Sequence, residues 1–271
     1  MLRRFAASVL NNLEPETLAY IQRVRADGGE VIDVAYVDSI YKKIKELNLL
    51  NDLLYWHSPY AGVKKDTLGA YSILFDISNN DNDFVQPNAP LQPIENIEGL
   101  DFTSNVKNMT SKKSLGLSGN SELTTIVTHI SRRKASTNSL LMSLGESATI
   151  NGEIYVLTNE KAVRINGGNI IWGNDSSIDT KEIYSTSKNS SSNINVTKLF
   201  INKDEKMPTN SLGFGLSLNP LDKASLGKII NGSTFSYDGV LWDVAVFTKN
   251  LTASNQRTQI EDLINAKNNV F

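Results

Sequence analysis

The 271-residue sequence has no cysteine and only two histidines, His57 and His129. The first absence removes disulfide scaffolds, iron–sulfur clusters, thiolate zinc sites and a cysteine nucleophile. The second removes a three-histidine metal centre built within one chain. A surplus of one charge is missing too. There are 27 Lys+Arg against 29 Asp+Glu, a formal charge of −2, so nucleic acid, which calls for a basic stripe, is not expected as a partner. Long apolar runs are absent and the mean hydropathy is −0.25, so no membrane insertion is expected. Met1 to Leu10 carries two arginines and then runs directly into Asn11-Asn12, without the apolar stretch of a secretory signal. The expectation is a soluble protein folded in a cytoplasm and released by lysis or another route needing no classical signal.

What is present is a globular composition, 40% hydrophobic, with 30 Asn and 28 Ser. The chain changes character near residue 70. Before it, helical spacing dominates. Glu14-Pro15-Glu16 makes an acidic first turn with proline where its missing N–H costs least. Leu18, Ile21 and Val24 follow at helical intervals, and Asp27-Gly28-Gly29 ends the helix. A second helix is expected from about Asp33 to Leu47, with Val34, Val37, Ile40, Ile44 and Leu47 as its stripe. Its apolar face packs either within the chain or onto another chain. Asn48 to Trp56 is an apolar continuation, helix or strand.

After residue 70 short strands recur between turn signals. They are expected at Tyr71–Ile77, Leu115–Leu117, Leu123–Ile130, Leu140–Leu144, Ile154–Thr158, Ala162–Ile165, Ile170–Trp172, Lys181–Ser185, Val196–Asn202, Leu212–Leu218 and Val240–Phe247. Asn151-Gly152, Asn166-Gly167-Gly168 and Asn231-Gly232 are tight-turn signals. This pattern predicts a mainly β fold, an antiparallel sandwich. Ile260, Leu263 and Ile264 predict a C-terminal helix within Ala253 to Lys267.

Several segments resemble the concanavalin A-like (laminin G-like) jelly-roll family. Leu74-Phe75-Asp76-Ile77-Ser78-Asn79-Asn80-Asp81-Asn82-Asp83 is similar to the turn that opens such domains in phage and bacterial proteins. Gln92-Pro93 and Gly99-Leu100-Asp101-Phe102 follow it as they do there. Lys198-Leu199-Phe200-Ile201-Asn202 and the stretch from Phe235 to Phe247 resemble two of the family's strands. Leu251-Thr252-Ala253-Ser254 through Ile260-Glu261-Asp262-Leu263 resembles its closing helix. Ahead of these, Ala19-Tyr20-Ile21-Gln22-Arg23-Val24-Arg25-Ala26-Asp27-Gly28-Gly29 is similar to a helix found before such domains in bacteriophage structural proteins.

The resemblance implies residues 1–70 as a helical attachment region and residues 71–271 as a concanavalin A-like β-sandwich. It implies a virion protein made in the host cytoplasm, bound to other virion proteins through Leu18, Ile21, Val37 and Ile44, and present as a homo-oligomer. The sandwich would then bind host-surface glycan; the alternative is a capsid, spike or tail decoration without a ligand.

The residues themselves speak against an enzyme. No strand carries the alternating carboxylates that a glycoside hydrolase places across its cleft, and no nucleophile-elbow motif accompanies the two histidines. A sugar site pairs an aromatic platform with polar loop groups. Trp172, Asn174 and Asp175 offer that chemistry, with Tyr184 as a neighbour; Trp172 as the buried end of a strand is the competing reading. Asp76, Asn80 and Asp83 offer the hard oxygens that Ca²⁺ takes, or else form Asx turns fixing a strand exit. No other cofactor is implied. The run Ser131-Arg132-Arg133-Lys134 reads as a solvated basic loop.

Overall fold

The computed structural model describes residues 12–96, 99–103, 107–118, 121–132, 140–145, 152–157, 162–165, 168–171, 179–189, 197–207, 210–211, 220–228 and 237–271. Helix α1, Pro15–Ala26, starts on its proline and carries Arg23 and Arg25 in its last turn, which suits the helix dipole. Gly28 takes a φ of +75°, and the Gly29 N–H returns to the Val24 carbonyl at 2.9 Å, so glycine ends the helix as its freedom at positive φ allows. Helix α2, Val34–Glu46, is capped by the Asp33 carboxylate, which accepts the Tyr36 N–H at 2.9 Å. Helix α3, Gln256–Asn268, closes the chain.

Two antiparallel sheets face each other. The first has eight strands: β1 Leu53–His57, β2 Ile94–Asn96, β3 Gly99–Asp101, β4 Leu123–Ser131, β5 Lys181–Lys188, β6 Lys198–Ile201, β7 Asp204–Lys206 and β8 Gly239–Phe247. Their order is β7-β6-β5-β4-β8-β3-β2, and β1 joins the same edge of β8 as β3, further along it. The second sheet has eleven strands, running in order from Glu30–Val31 through Gly62–Lys65, Tyr71–Leu74, Phe84–Val85, Met109–Ser111, Lys223–Leu226 and Leu140–Gly145 to Gly152–Leu157, Ala162–Ile165, Gly168–Ile171 and Asn210–Ser211. Leu117–Ser118 and Pro220–Leu221 form a separate pair.

Strand alternation sorts the apolar side chains into two cores. Val127, Leu241, Val244 and Val246 of the first sheet meet Leu74, Phe84, Met109, Leu144 and Leu226 of the second. The intervening residues Ile126, Ile183, Ala245 and Phe247 point the other way, onto Val37, Ile40, Ile44, Ile260 and Ile264 of the helices. The molecule is therefore a β-sandwich with a helical layer on one face. A β-bulge interrupts the alternation. Val127 faces Val244 and His129 faces Leu241, so Trp242 and Asp243 together oppose Thr128. The bulge leaves Asp243 on the helical side, where Tyr36, Trp56 and Asn268 hydrogen-bond to it.

The expected mainly β sandwich with N- and C-terminal helices is what forms, but the expected division at 70/71 is not a structural boundary. Strand β1 pairs with β8. Glu30–Val31 and Gly62–Lys65 pair into the second sheet. The four expected attachment residues also differ from the expectation. Val37 and Ile44 are fully buried in the core beneath the helices, Ile21 is buried, and Leu18 is half-buried. The chain's own core covers Val37 and Ile44, whereas Leu18 keeps part of its surface exposed. The expected strand at Leu212–Leu218 lies outside the described residues.

Candidate functional site

Loops carry recognition on rigid scaffolds because they alone can vary without disturbing a core. In the eight-stranded sheet, the end of β3, the end of β4, the start of β5 and the start of β8 meet at one end of the sandwich. The Arg132 N–H donates to the Asp238 carbonyl at 3.0 Å, the Asp179 N–H to Ser131 at 2.9 Å, and the Phe102 N–H to Gly239 at 2.9 Å.

At this end Asp101 organises the side chains. Its carboxylate accepts the Thr103 N–H at 2.7 Å, the Asn96 amide at 3.2 Å and the Arg132 guanidinium at 3.3 Å. Burial alone would raise its titration, but the hydrogen bonds from Thr103 and Asn96 and the Arg132 charge hold the carboxyl below its ordinary value. The Arg132 side chain is 32% exposed and that of Asp101 8%. The pair therefore presents a fixed guanidinium to solvent on a buried anionic support. Beneath it lie His129 and Glu182, opposite each other on β4 and β5, with the Tyr237 hydroxyl 3.3 Å from His129 Nδ1.

The predicted sugar-site residues are only partly placed. Trp172, Asn174 and Asp175 lie outside the described residues. Tyr184 is described and is a correction. It is 2% exposed in the core between the sheets, edge-on to His129 with ring centres 4.4 Å apart. An aromatic residue on a strand facing the opposite sheet is packing, and a sugar cannot reach it. Sequence reasoning passed over Asp101 and Arg132, although the first stood in a family segment and the second opened the basic run.

The loop expected to hold calcium is committed to other donors. Asp76, fully buried, accepts the Trp56 N–H at 3.0 Å and the Ser78 and Asn82 N–H groups at 2.9 Å each, with the Ser78 hydroxyl also donating to it. The Asn80 amide donates to the Leu53 and Leu54 carbonyls at 2.9 and 3.0 Å. Asp83 accepts the Asp76 N–H at 2.9 Å and Arg23 Nη1 at 2.9 Å, while Arg23 Nε lies 3.2 Å from Asp81. The Asp76 carbonyl also accepts from Arg23. Arg23 of α1 thus lies among these oxygens, paired with Asp83 and Asp81, and the bonds from Ser78 and Asn82 to Asp76 have the form of Asx turns. Arg23→Ala leaves the buried Asp83 carboxylate without its cationic partner, and a loss of about 3 kcal/mol is expected in urea unfolding. A chelator is expected to leave the melting temperature of the unaltered protein where it was.

Two further carboxylates lie in the helical seam. Asp243 accepts from Tyr36 and Trp56 at 2.9 Å and from Asn268 at 2.8 Å, and burial raises its titration against those bonds. Glu261 accepts from Ser185 and Arg257, and Arg257 lies 3.7 Å from the Phe200 ring centre. Both carboxylates are fully buried. Among the described residues no three His, Asp or Glu side chains gather as a metal centre.

No protein-family model matches the chain, and no curated protein matches it. Solved structures do. The sialidase of Trypanosoma rangeli, bound to a difluorinated KDN, is similar at a TM-score of 0.55 and 13% identity, covering 86% of this chain and 40% of that one. The same enzyme in complex with sialic acid gives 0.53 and 14%, covering 85% and 38%. The binding domain of Paraclostridial Mosquitocidal Protein 1 gives 0.53 and 14%, covering 81% and 53%. The chain thus spans about half or less of the structures it matches, and at this identity the likeness is one of fold. It defines an antiparallel β-sandwich, consistent with the concanavalin A-like expectation. None of the three comes from a bacteriophage, so the phage association rests on the sequence resemblance.

Proposed function

We propose that this chain is a glycan-binding β-sandwich of a bacteriophage particle that adsorbs to host-surface sugar through the loop end carrying Asp101 and Arg132. The observation that carries the reading is the Asp101–Arg132 pair: a guanidinium held at the surface by a buried carboxylate, at the end of a rigid sheet. Fixed polar groups of this kind orient hydroxyls and acidic groups at little entropic cost. The fold shared with a toxin binding domain and with sialidases, one of them in complex with sialic acid, supports the reading. The resemblance of Ala19 to Gly29 to a phage helix supports the virion setting, where many copies would raise the avidity of weak sites.

Binding is favoured over hydrolysis. Most glycoside hydrolases use two carboxyl groups about 5–10 Å apart across an open cleft, sialidases with a tyrosine nucleophile being an exception; among the described residues Asp76, Asp243 and Glu261 are fully buried and already hydrogen-bonded. The second reading, a decoration protein without ligand, is favoured by how completely Thr103, Asn96 and Arg132 occupy Asp101.

The test is a glycan array probed with the whole chain and with Arg132→Ala. The expected outcome is a defined set of bound glycans, weakened about tenfold, or ~1.4 kcal/mol, by the substitution. Retention of every bound glycan by the variant would move the site elsewhere. No bound glycan at all would favour the decoration reading.

A further inference from the structure

The two histidines lie on the strands flanking β8, and both are almost fully buried. His129 has Glu182 opposite it in register and the Tyr237 hydroxyl beside Nδ1, so a proton on that ring would meet a carboxylate. The surroundings of His57 are different. It sits on β1 opposite Val244, with Phe84 of the facing sheet edge-on at 4.4 Å and Tyr55 of its own strand at 5.4 Å. Among the described residues neither ring nitrogen meets a hydrogen-bonding side chain; the carbonyls of Asn82, Phe75 and Leu74 approach instead. The charged groups around it belong to the neighbouring loop and to α1. Asp76 and Asp83 are turned to backbone N–H groups, and Arg23 opposes a second positive charge.

We propose that His57 is an acid switch for the seam between the sandwich and its helical layer. Protonation places an uncompensated charge between the sheets, the ring must leave the interior, and β1 leaves the edge of β8 with it. The lever is a short one. The neighbouring Trp56 side chain packs under the helices, and the Trp56 carbonyl accepts the Ile77 N–H at 2.9 Å. Loss of β1 therefore frees the loop and the α1 contact together.

Burial holds the ring neutral down to about 3. A histidine lowered in the folded state gives stability that is complete above its unfolded value of about 6.5 and is lost as pH falls below it. Asp76 acts with the opposite sign. Burial pushes it up to about 6 against the bonds from Ser78, Trp56 and Asn82, so its ionisation costs stability as pH rises through that range. Between pH 6 and 4 the two slopes offset, and the acid loss emerges below that window.

Acid unfolding followed by far-UV circular dichroism tests this with two substitutions of distinct effect. His57→Phe is expected to move the acid midpoint down by about one pH unit or more, whereas Asp76→Asn, which stands in for the protonated carboxyl, is expected to raise stability near neutral pH and to leave the acid midpoint in place. Proton NMR of the unaltered chain needs no variant. The His57 ring is expected to stay neutral below pH 4 while the fold persists. An acid midpoint unchanged by His57→Phe, or a His57 resonance titrating near 6.5 in the folded protein, would overturn the proposal.

Discussion

Trp56→Ala is expected to lower the free energy of unfolding by about 3–5 kcal/mol. Trp56 is fully buried beneath the helices and is bracketed by two buried carboxylates. Its backbone N–H donates to Asp76 at 3.0 Å and its indole N–H to Asp243 at 2.9 Å. Truncation opens a cavity and also removes a donor from Asp243, whose remaining partners include Tyr36 of α2 and Asn268 of α3. Trp56→Phe fills most of the space and removes only the indole bond, for an expected loss of about 1–3 kcal/mol. Urea unfolding followed by circular dichroism measures both. A double-mutant cycle with Asp243→Ala is expected to give a coupling of about 1 kcal/mol or more. Additive losses would mean that the indole and the carboxylate do not act as a unit.

Gly239→Ala is expected to cost about 3 kcal/mol or more, at the severe end of overpacking. A Cβ there would lie 2.1 Å from the Ile130 carbonyl oxygen and 2.5 Å from the Tyr237 hydroxyl. The first contact is backbone and cannot swing aside, so β4 and β8 must separate where the loop end begins. The Gly239 carbonyl also holds Phe102, which ties the strain to the Asp101 loop. Glycan binding is accordingly expected to fall even in the fraction that folds. Gly69→Ala is the matched control. Its φ is +82° but nothing lies within 4 Å of the added carbon, so only the backbone cost of about 1 kcal/mol applies. Equal losses at the two glycines, by urea unfolding, would contradict the close approach of β4 and β8.

Much of this fold is legible from the residues because its longest elements obey simple periods. Pro15, the Asp33 cap and the Val37-Ile40-Ile44 stripe bound two helices to within a residue or two. Strands β4 and β8 are buried on both faces, but their length and β-branched residues let them be read. Strand β1 has neither. Leu53 to His57 is buried on both faces, and a continuous apolar run gives no period by which to separate strand from helix. Glu30–Val31, Phe84–Val85 and Met109–Ser111 are too short for any period and are set by distant partners. The same limit misled the site reading. Tyr184 and a surface tyrosine look alike in sequence, since only the facing sheet makes one of them core. Asp83 pairs with Arg23, a partner sixty residues earlier that no local pattern around Asp76, Asn80 and Asp83 could show. Asp101 and Arg132 become a pair only when β3 and β4 reach the same end on either side of β8.

The most direct measurement of the central claim is backbone NMR of the labelled full chain during titration with a glycan selected on the array. Shifts are expected at 99–103, 130–132, 179–182 and 237–239, with the helical layer unchanged. Shifts confined to the helices would contradict a glycan site at the loop end.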